Sequence, residues 1–157
     1  MSLDLENFEE VSIKGEKFYS ENNEVYCPYF NGKISFNAQG MEHLKFKRPR
    51  QARPKQDQYM RLKLIDLAPV ILKKSSTLQG IFETRNFERI RSHNRTDNIL
   101  KIVTYYEFIA VVDKIRAKII VKQIDNGEKF FWSIIPYWKI NKTTMNKILH
   151  SGFPEED

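Results

Sequence analysis

The dipeptide Asn126-Gly127 constrains the fold of this chain most, because it lies between two strand-like runs. A two-residue type I′ turn needs positive φ at both central residues, and Asn-Gly adopts that conformation more readily than most pairs. We therefore predict a hairpin over residues 115–139 with this turn at its tip. The turn fixes the register and pairs Lys122 with Phe131.

Side chains alternate along a strand, so this hairpin has two unlike faces. One face is apolar and is expected to belong to the core, with Ala117, Ile119, Val121, Gln123, Phe130, Trp132 and Ile134. The other face, here called the lysine face, places cations and a hydroxyl among apolar residues, its polar members being Lys118, Lys122, Lys129 and Ser133. Such a surface is typical of a phosphate-binding sheet, although the solvated side of a two-layer domain has a similar composition.

The preceding run, Ile102–Val112, is rich in β-branched and aromatic residues and predicts another strand. Residues 113–114 (Asp-Lys) would close a second tight hairpin. That register pairs Tyr105 with Lys122, so Tyr105 and Glu107 are expected on the lysine face. A slip of one residue would reverse the assignment.

Helical patterns precede these strands, and turn residues divide the chain into short elements. The expected elements are a short helix in the first 24 residues, strands on either side of Asn31-Gly32, a helix over 38–46 capped by Asn37, a helix that begins at Asp57 and is interrupted by Pro69, strands near 77–83 and 86–91, a polar loop over 92–98 and a weak helical pattern at 145–149. This order predicts an α+β fold in which N-terminal helices pack on a twisted antiparallel β-meander of four to five strands.

A chain of 157 residues is large enough for one domain with a real core, which we expect over 25–150. The first 24 residues form an acidic appendage, and residues 151–157 form an acidic, flexible tail. Removing residues 1–24 and 155–157 leaves 24 basic and 10 acidic residues, so the body is strongly basic. A polyanionic partner, most often nucleic acid, is the expectation; a solvated basic surface is the alternative.

Cys27 is the only cysteine, which excludes an intramolecular disulfide and a cysteine-based zinc site. The acidic N-terminus lacks the features of a signal peptide, and no apolar run approaches the roughly 20 residues of a membrane span. We therefore expect a cytoplasmic protein with no membrane partner.

Basic residues are concentrated between positions 45 and 55, where Pro49 and Pro54 prevent a continuous helix. These residues are Lys45, Lys47, Arg48, Arg50, Arg53 and Lys55. We expect a basic loop that contacts a phosphate backbone, with a solvated charge run as the alternative. Tyr137 and Trp138, at a strand end, are candidates for stacking on bases.

The sequence contains no phosphate-binding glycine loop, no zinc-protease motif, no serine-hydrolase elbow and no ligand-like spacing of its three histidines. We expect no metal and no cofactor. Metal-free RNA cleavage remains accessible, since the substrate supplies its own 2′-OH and the protein needs only an acid, a base and cations. The candidate catalytic residues are His43, Tyr105, Glu107, Lys122 and Ser133.

The stretch KISFNAQGMEHLKFK, a strand and then a helix holding His43, precedes the basic segment, a Leu-rich helix ending APVILKKS and the strand meander. This order over roughly 30–139 resembles the phage and bacterial nuclease domains grouped with barnase, EndoU, the colicin tRNases and RelE. The resemblance implies helices against an antiparallel sheet and metal-independent cleavage of tRNA or mRNA to a 2′,3′-cyclic phosphate. It also implies a toxin- or phage-associated role and an inhibitor or antitoxin as a possible partner.

Two other functions fit the same residues. A non-catalytic RNA- or DNA-binding module would use the basic surface and the aromatic residues without an acid–base pair. A protein-interaction domain would use the acidic N-terminal segment to mask the basic face. His43 would then be a satisfied structural histidine, and Glu107 a cross-strand ion-pair partner.

Overall fold

A computed structural model describes residues 7–92, 95–137 and 153–157. Its elements are α1 (Phe8–Glu21), β1 (Glu24–Cys27), β2 (Gly32–Ser35), α2 (Ala38–Lys45), β3 (Phe46–Arg48), β4 (Gln51–Ala52), α3 (Lys55–Leu64), α4 (Leu67–Lys74), β5 (Gly80–Ser92), β6 (Arg95–Val112), β7 (Ile115–Ile124) and β8 (Lys129–Pro136). The weak helical pattern at 145–149 and Trp138 lie outside the described residues. No helix in the described ranges is long and apolar enough to cross a membrane.

The α+β class is confirmed, with four helices in the described ranges and helices packed against the sheet. The main sheet has six strands in the order β1-β2-β8-β7-β6-β5, rather than the four to five predicted. Its neighbours are antiparallel except β2 and β8, which run parallel and pair at Ser35 and Phe130. The hairpin β1–β2 thus joins the meander and enlarges it.

Two local predictions are wrong for a shared reason. The strands predicted at 77–83 and 86–91 form one strand, β5, and β6 already begins at Arg95, inside the predicted polar loop. A continuous antiparallel ladder joins β5 to β6 from Gly80–Glu107 to Ser92–Arg95. Cross-strand pairing overrides the weak turn signals of the individual residues.

The basic segment is also more ordered than predicted. Residues 46–52 form a separate two-stranded ribbon, β3–β4, instead of a loop. Arg50 takes a positive φ of 65° in the connecting turn. The ribbon holds Lys47 and Arg48 on a defined backbone.

The N-terminal helix α1 packs on α3 rather than standing apart from the domain. A Cβ on Gly15 would lie 3.0 Å from the carbonyl oxygen of Leu62, so the two helix backbones approach closely. Tyr19 is buried in the core, and its hydroxyl donates to the carbonyl oxygen of Asn37. The first helix therefore supports the chain segment that starts α2.

Helix α2 is positioned by its cap and by a close approach to β8. The predicted cap is confirmed, since Asn37 Oδ1 accepts from the backbone N–H of Gly40 at 3.2 Å. A Cβ at Gly40 would lie 2.3 Å from the carbonyl oxygen of Phe131. Only glycine allows this distance, which brings His43, one turn later, beside β8.

The next helices begin and end near the predicted positions. Helix α3 begins at Lys55, two residues before the predicted Asp57, directly after Pro54. A break at residues 65–66 separates it from α4, in which Pro69 occupies the first turn, where its missing N–H costs nothing. The predicted interruption is present, but it lies at residues 65–66, three residues before Pro69, rather than at Pro69 itself.

The main core lies between the helices and one face of the sheet. Its sheet residues include Phe108, Ala117, Ile119, Val121, Phe131 and Ile134, and its helix residues include Leu44, Leu62, Ile71 and Leu72. A much smaller apolar cluster of Val103, Tyr105 and Ile120 lies on the opposite side, with Trp132 packed against it.

The register of β6 and β7 is confirmed. Tyr105 lies opposite Lys122, and Glu107 lies opposite Ile120. Residues 113–114 have positive φ values of 49° and 68°, as a tight type I′-like connection requires.

The register of β7 and β8 is confirmed only in the half away from the turn, where Ile120 lies opposite Ser133. Nearer the turn, Lys122 lies opposite Phe130 instead of Phe131, and a β-bulge at Trp132 takes up the extra residue. The predicted two-residue turn at Asn126-Gly127 is wrong, because the connection spans residues 125–128.

Asp125 provides the physical reason for the longer connection. Its backbone N–H donates to the carbonyl oxygen of Ile102 at 2.6 Å, and its Oδ1 accepts from the N–H of Ile102 at 2.9 Å. It also forms an ion pair with Lys101 at 3.0 Å. Asp125 also has a positive φ of 51°, and the Gly127 N–H donates to the carbonyl oxygen of Ile124 at 2.9 Å, so the chain already turns at Asp125 and this residue does not continue β7.

The bulge changes which side chains share a face. Phe130 and Trp132, predicted in the core, join the lysine face, because Phe130 is opposite Lys122 and Trp132 packs with Tyr105. Phe131 and Lys129 move to the helix-covered face. Phe131 enters the main core, and Lys129 Nζ lies 4.9 Å from the ring centre of Phe30, which packs against that core.

Candidate anion-binding and active site

The bulged part of β8 is where helices α2 and α3 meet the lysine face. His43 of α2 stacks on Trp132, with ring centres 3.9 Å apart and an angle of 18° between the planes. Arg61 of α3 donates through Nη1 to Ser133 Oγ. The bulge presents Trp132 and Ser133 consecutively, so each helix contributes one polar side chain to adjacent positions of the strand.

His43 is buried and bound on two sides by Arg53. Arg53 Nε donates to the His43 carbonyl oxygen at 2.9 Å, and Arg53 Nη2 lies 3.0 Å from His43 Nε2. A guanidinium has only donors, so Nε2 accepts and the imidazole proton belongs on Nδ1. Burial, followed by the charges of Arg53, Arg61 and Lys122, lowers the pKa of His43 from 6.5 to about 2. His43 is therefore neutral at pH 7.

Arg61 is fully buried, although Arg is among the residues least often found inside proteins. Its Nε donates to Asp57 Oδ1 at 2.6 Å, and its Nη1 also donates to the carbonyl oxygen of Asp157. Its Nη2 is buried and has no hydrogen-bond partner among the residues that the structure describes. Burial lowers the pKa of Arg61, and Asp57 opposes this shift, so the guanidinium keeps its charge.

Two lysines complete the cationic surface. Lys122 Nζ lies 4.1 Å from the ring centre of Trp132, over the side chain on which His43 stacks. Lys118 Nζ forms an ion pair with Glu107 at 3.1 Å and lies 3.9 Å from Asp157 Oδ2. Both lysines are buried, so their charges act in a less polar medium than bulk water.

A cleft of about 550 Å³ opens over this surface. We call it the main cleft; the lining residues used below are His43, Lys47, Arg48, Phe87, Lys122, Trp132, Glu155 and Glu156. A second cavity of about 220 Å³, the small cleft, is lined by Lys47, Arg53, Asp57, Glu156 and Asp157 among others. Lys47 and Glu156 line both cavities, so the two lie side by side.

The last three residues of the segment Phe153–Asp157, here called the tail segment, line these clefts. The Glu156 carboxylate pairs with Arg48 and with Lys47, the latter at 3.5 Å, and the Arg48 contact lowers the pKa of Glu156. Arg53 Nη2 donates to the Glu156 carbonyl oxygen at 2.8 Å. The sequence predicts a flexible acidic tail over 151–157, whereas Asp157 is 1% exposed here.

The main chain of the tail segment is held as firmly as its carboxylates. Ser133 Oγ donates to the Asp157 carbonyl oxygen at 2.6 Å, next to the Arg61 contact. Trp132 Nε1 donates to the Glu155 carbonyl oxygen at 3.3 Å. The three consecutive acidic residues thus follow the row of donors formed by Trp132, Arg53, Arg61 and Ser133.

Six of the residues predicted for the site come together here: five line the clefts, and the sixth, Ser133, is fully buried and contacts Asp157 of the tail segment. They are His43, Lys122 and Ser133 from the candidate catalytic set and Lys47, Arg48 and Arg53 from the basic segment.

Other candidates lie elsewhere. Tyr105 is fully buried beneath Trp132 and does not line either cleft, and Glu107 is engaged by Lys118 beyond the edge of the clefts. The other predicted phosphate-binding cations lie outside the clefts: Lys45 pairs with Glu16, and Lys55 and Lys129 lie over the rings of Phe8 and Phe30. Arg50 is exposed in the ribbon turn. Tyr137, a predicted stacking residue, packs against the cationic groups of Arg116 and Lys118.

Sequence reasoning missed Arg61, Asp57 as its partner, Trp132 as part of the site, and the tail segment. The spacing of Asp57 and Arg61 is i,i+4, a pattern usually found on the exposed side of a helix. Arg61 stands between Met60 and Leu62 in a strongly apolar stretch, and that was the available signal. Trp132 could not be placed without knowing the bulge.

Comparison with known proteins adds no relative. No protein-family model, no curated protein and no solved structure matches this chain.

Proposed function

We propose that this chain is a metal-independent endoribonuclease of the toxin or phage type. The observation that supports this function best is the convergence of a neutral histidine, two buried arginines, a serine and a lysine. His43, Lys122 and Arg53 line the two clefts, and the fully buried Arg61 and Ser133 contact Asp157, which lines the small cleft. These are the groups that cleavage of an RNA phosphodiester by its own 2′-OH requires.

In the proposed reaction the 2′-oxygen attacks the adjacent phosphorus and the bond from phosphorus to the 5′-oxygen breaks. The products are a 2′,3′-cyclic phosphate and a free 5′-OH. One base removes the 2′-OH proton, one acid protonates the leaving 5′-oxygen, and cations stabilise the phosphorane between them. No step needs a redox partner or an added nucleophile.

His43 is the proposed base. Its imidazole is neutral at pH 7, but it is a weak base while burial and the neighbouring cations hold its pKa at about 2. Nε2 is the nitrogen with a free lone pair once the arginine contact is removed, and losing that contact also removes one cause of the low pKa. In the described conformation Arg53 covers that nitrogen. The proposal therefore requires the Arg53 guanidinium to turn from His43 to the scissile phosphate when RNA binds, which frees Nε2 and brings a positive charge to the phosphorane.

Arg61 and Ser133 are the proposed phosphate holders, and Lys122 is the proposed acid. Asp57 fixes the Arg61 guanidinium through Nε, so its orientation is set before substrate binds. Lys122 lines the main cleft beside Trp132 and is the group proposed to donate a proton to the leaving oxygen. Tyr105 and Glu107 have no direct part in this scheme.

Lys47 and Arg48 are suited to the flanking phosphates of a single strand, because they stand on the ribbon at the mouth of the main cleft. Phe87 lines the same cleft, is 72% exposed and offers a ring surface for a base. Arginine and lysine contacts to phosphates weaken with salt, so binding should be strongly salt-dependent.

The test is incubation of the purified protein with total RNA in EDTA, beside His43→Gln. Glutamine keeps an oxygen acceptor for Arg53 but cannot carry a proton in catalysis. We expect discrete cleavage with cyclic-phosphate ends and a loss of at least about hundredfold in the variant. An oligonucleotide with 2′-O-methyl groups should bind and stay intact. Intact natural RNA after incubation with a folded protein would contradict the proposal.

A non-catalytic RNA-binding module is the second candidate, and the burial of His43 favours it. A histidine that is stacked on Trp132 and capped by Arg53 is also a good structural element. Salt-sensitive binding without cleavage, unchanged in His43→Gln, would establish this function instead.

A further inference from the structure

We propose that the tail segment is an internal mimic of the RNA backbone that occupies two phosphate subsites and must leave before substrate binds. This inference rests on the proposed function for the identity of the ligand, which is the phosphodiester backbone of a single strand. The inference adds the path of the RNA backbone across the clefts and names the tail segment as the group that competes with RNA for these positions.

The first subsite is the one now filled by the Glu156 carboxylate. Arg48 and Lys47 reach this carboxylate from the ribbon, and Arg53 donates to the carbonyl oxygen of the same residue. Three cationic side chains thus surround one acidic residue. A phosphate would carry the same charge sign and more acceptor oxygens into this position.

The second subsite is the one now filled by the main-chain carbonyl of Asp157. That oxygen accepts from both Arg61 and Ser133, which are completely buried. Arg61 Nη2 still has no hydrogen-bond partner within the described ranges. A phosphodiester presents two non-bridging oxygens and can engage both guanidinium nitrogens at once, a pairing that arginine favours.

The position of the tail segment also explains why there are two cavities. Glu156 lines the main cleft and the small cleft, with Lys47 beside it. If the tail segment leaves, the partition between the cavities goes with it. One groove then runs from Lys122 and Trp132 past Arg53 to Arg61, along the residues proposed to act on RNA.

An intramolecular occupant lowers apparent affinity by the fraction of molecules in which the site is open. A segment that closes the site in nine of ten molecules weakens substrate binding about tenfold. Because the contacts are ionic and close to the surface at Glu156, higher salt should release the segment while also weakening RNA binding.

The experiment measures binding of a fluorescent, short 2′-O-methyl RNA of mixed sequence, which the proposed reaction cannot cleave. The variants are a deletion of residues 155–157 and the single substitution Glu156→Gln, with Glu24→Gln as the matched control. Glu24 on β1 pairs with exposed Lys33 on β2, so its substitution removes the same charge away from the clefts. We expect at least about tenfold tighter binding for the deletion and about two- to fivefold for Glu156→Gln, with no change for the control.

Equal or weaker binding by a folded deletion variant would overturn the inference. If the deletion variant does not fold, the comparison of Glu156→Gln with Glu24→Gln decides, and equal affinities would overturn it. Tighter binding without cleavage of natural RNA by any variant would leave the tail inference standing and refute the ribonuclease proposal. Cleavage of natural RNA without a gain in binding would refute the tail inference and leave the ribonuclease proposal standing.

Discussion

The two faces of the main sheet bury their residues in opposite ways. On the helix-covered face most buried sheet side chains are apolar, among them Phe108, Ile119 and Phe131, and Thr104 is the buried polar one among the described residues. On the lysine face the apolar cluster is small, and Lys118, Lys122 and Ser133 are buried beside it. Helices α2 and α3 add His43 and Arg61 to that side.

The helix-covered face thus stabilises the fold, whereas the lysine face holds polar and charged groups that do not add to stability by themselves. Burying apolar surface is favourable by about 25 cal/mol per Å². Burying a cation is costly unless carboxylates and hydrogen bonds offset it, as Asp57 does for Arg61. Buried groups with strongly shifted pKa values are common at functional sites, and His43 has such a pKa. The lysine face is therefore the expected place for function.

The largest effect on stability should come from the helix-covered face. Phe131 is fully buried and stacks on Phe36 with ring centres 5.2 Å apart. We expect Phe131→Ala to lower the free energy of unfolding by about 3–5 kcal/mol in urea titrations. The half-exposed Phe82 provides the control, and Phe82→Ala should cost less than about 1 kcal/mol. Equal losses of unfolding free energy in the two variants would contradict the claim that buried apolar residues of the helix-covered face stabilise the fold.

A smaller, pH-dependent effect should come from His43. Its pKa is about 2 in the folded protein and near 6.5 when unfolded, so only the unfolded chain takes up this proton between those values. Stability is thus fully present above pH 6.5 and falls as the pH decreases. We expect His43 to contribute about 1.4 kcal/mol of loss for each pH unit below 6.

Urea titrations at pH 7, 6 and 5 on wild type and His43→Gln would isolate this contribution. The variant should lose less stability over this range than wild type. Parallel pH profiles for the two proteins would show that His43 titrates normally in the folded state, and would contradict the buried, arginine-capped arrangement.

Sequence reasoning predicted local structure best where one interaction dominated. The 113–114 turn set the register of β6 and β7, and Asn37 marked the start of α2, because both depend on adjacent residues. The bulge at Trp132 could not be predicted, since the turn signal Asn126-Gly127 indicated a register that β8 adopts only beyond Trp132. One bulge then decided the faces of Phe130, Phe131 and Trp132.

The same distinction holds for the candidate site. His43 and the basic ribbon stood out because their residue types and positions are visible in the sequence. Arg61 and the tail segment did not, because their importance comes from burial and from contacts such as Arg61 with Asp157, 96 residues apart. Long-range packing of this kind has no signature in a single sequence.

The most direct test of the claim that the lysine face is the functional one compares two lysines of the same hairpin. Lys122 lines the main cleft, while Lys129 lies over Phe30 on the opposite face. We expect Lys122→Ala and Lys129→Ala each to change stability by less than about 1 kcal/mol. Cleavage of RNA in EDTA should fall roughly hundredfold in Lys122→Ala and stay near wild type in Lys129→Ala. Equal activity in the two variants, or a loss confined to Lys129→Ala, would contradict the account.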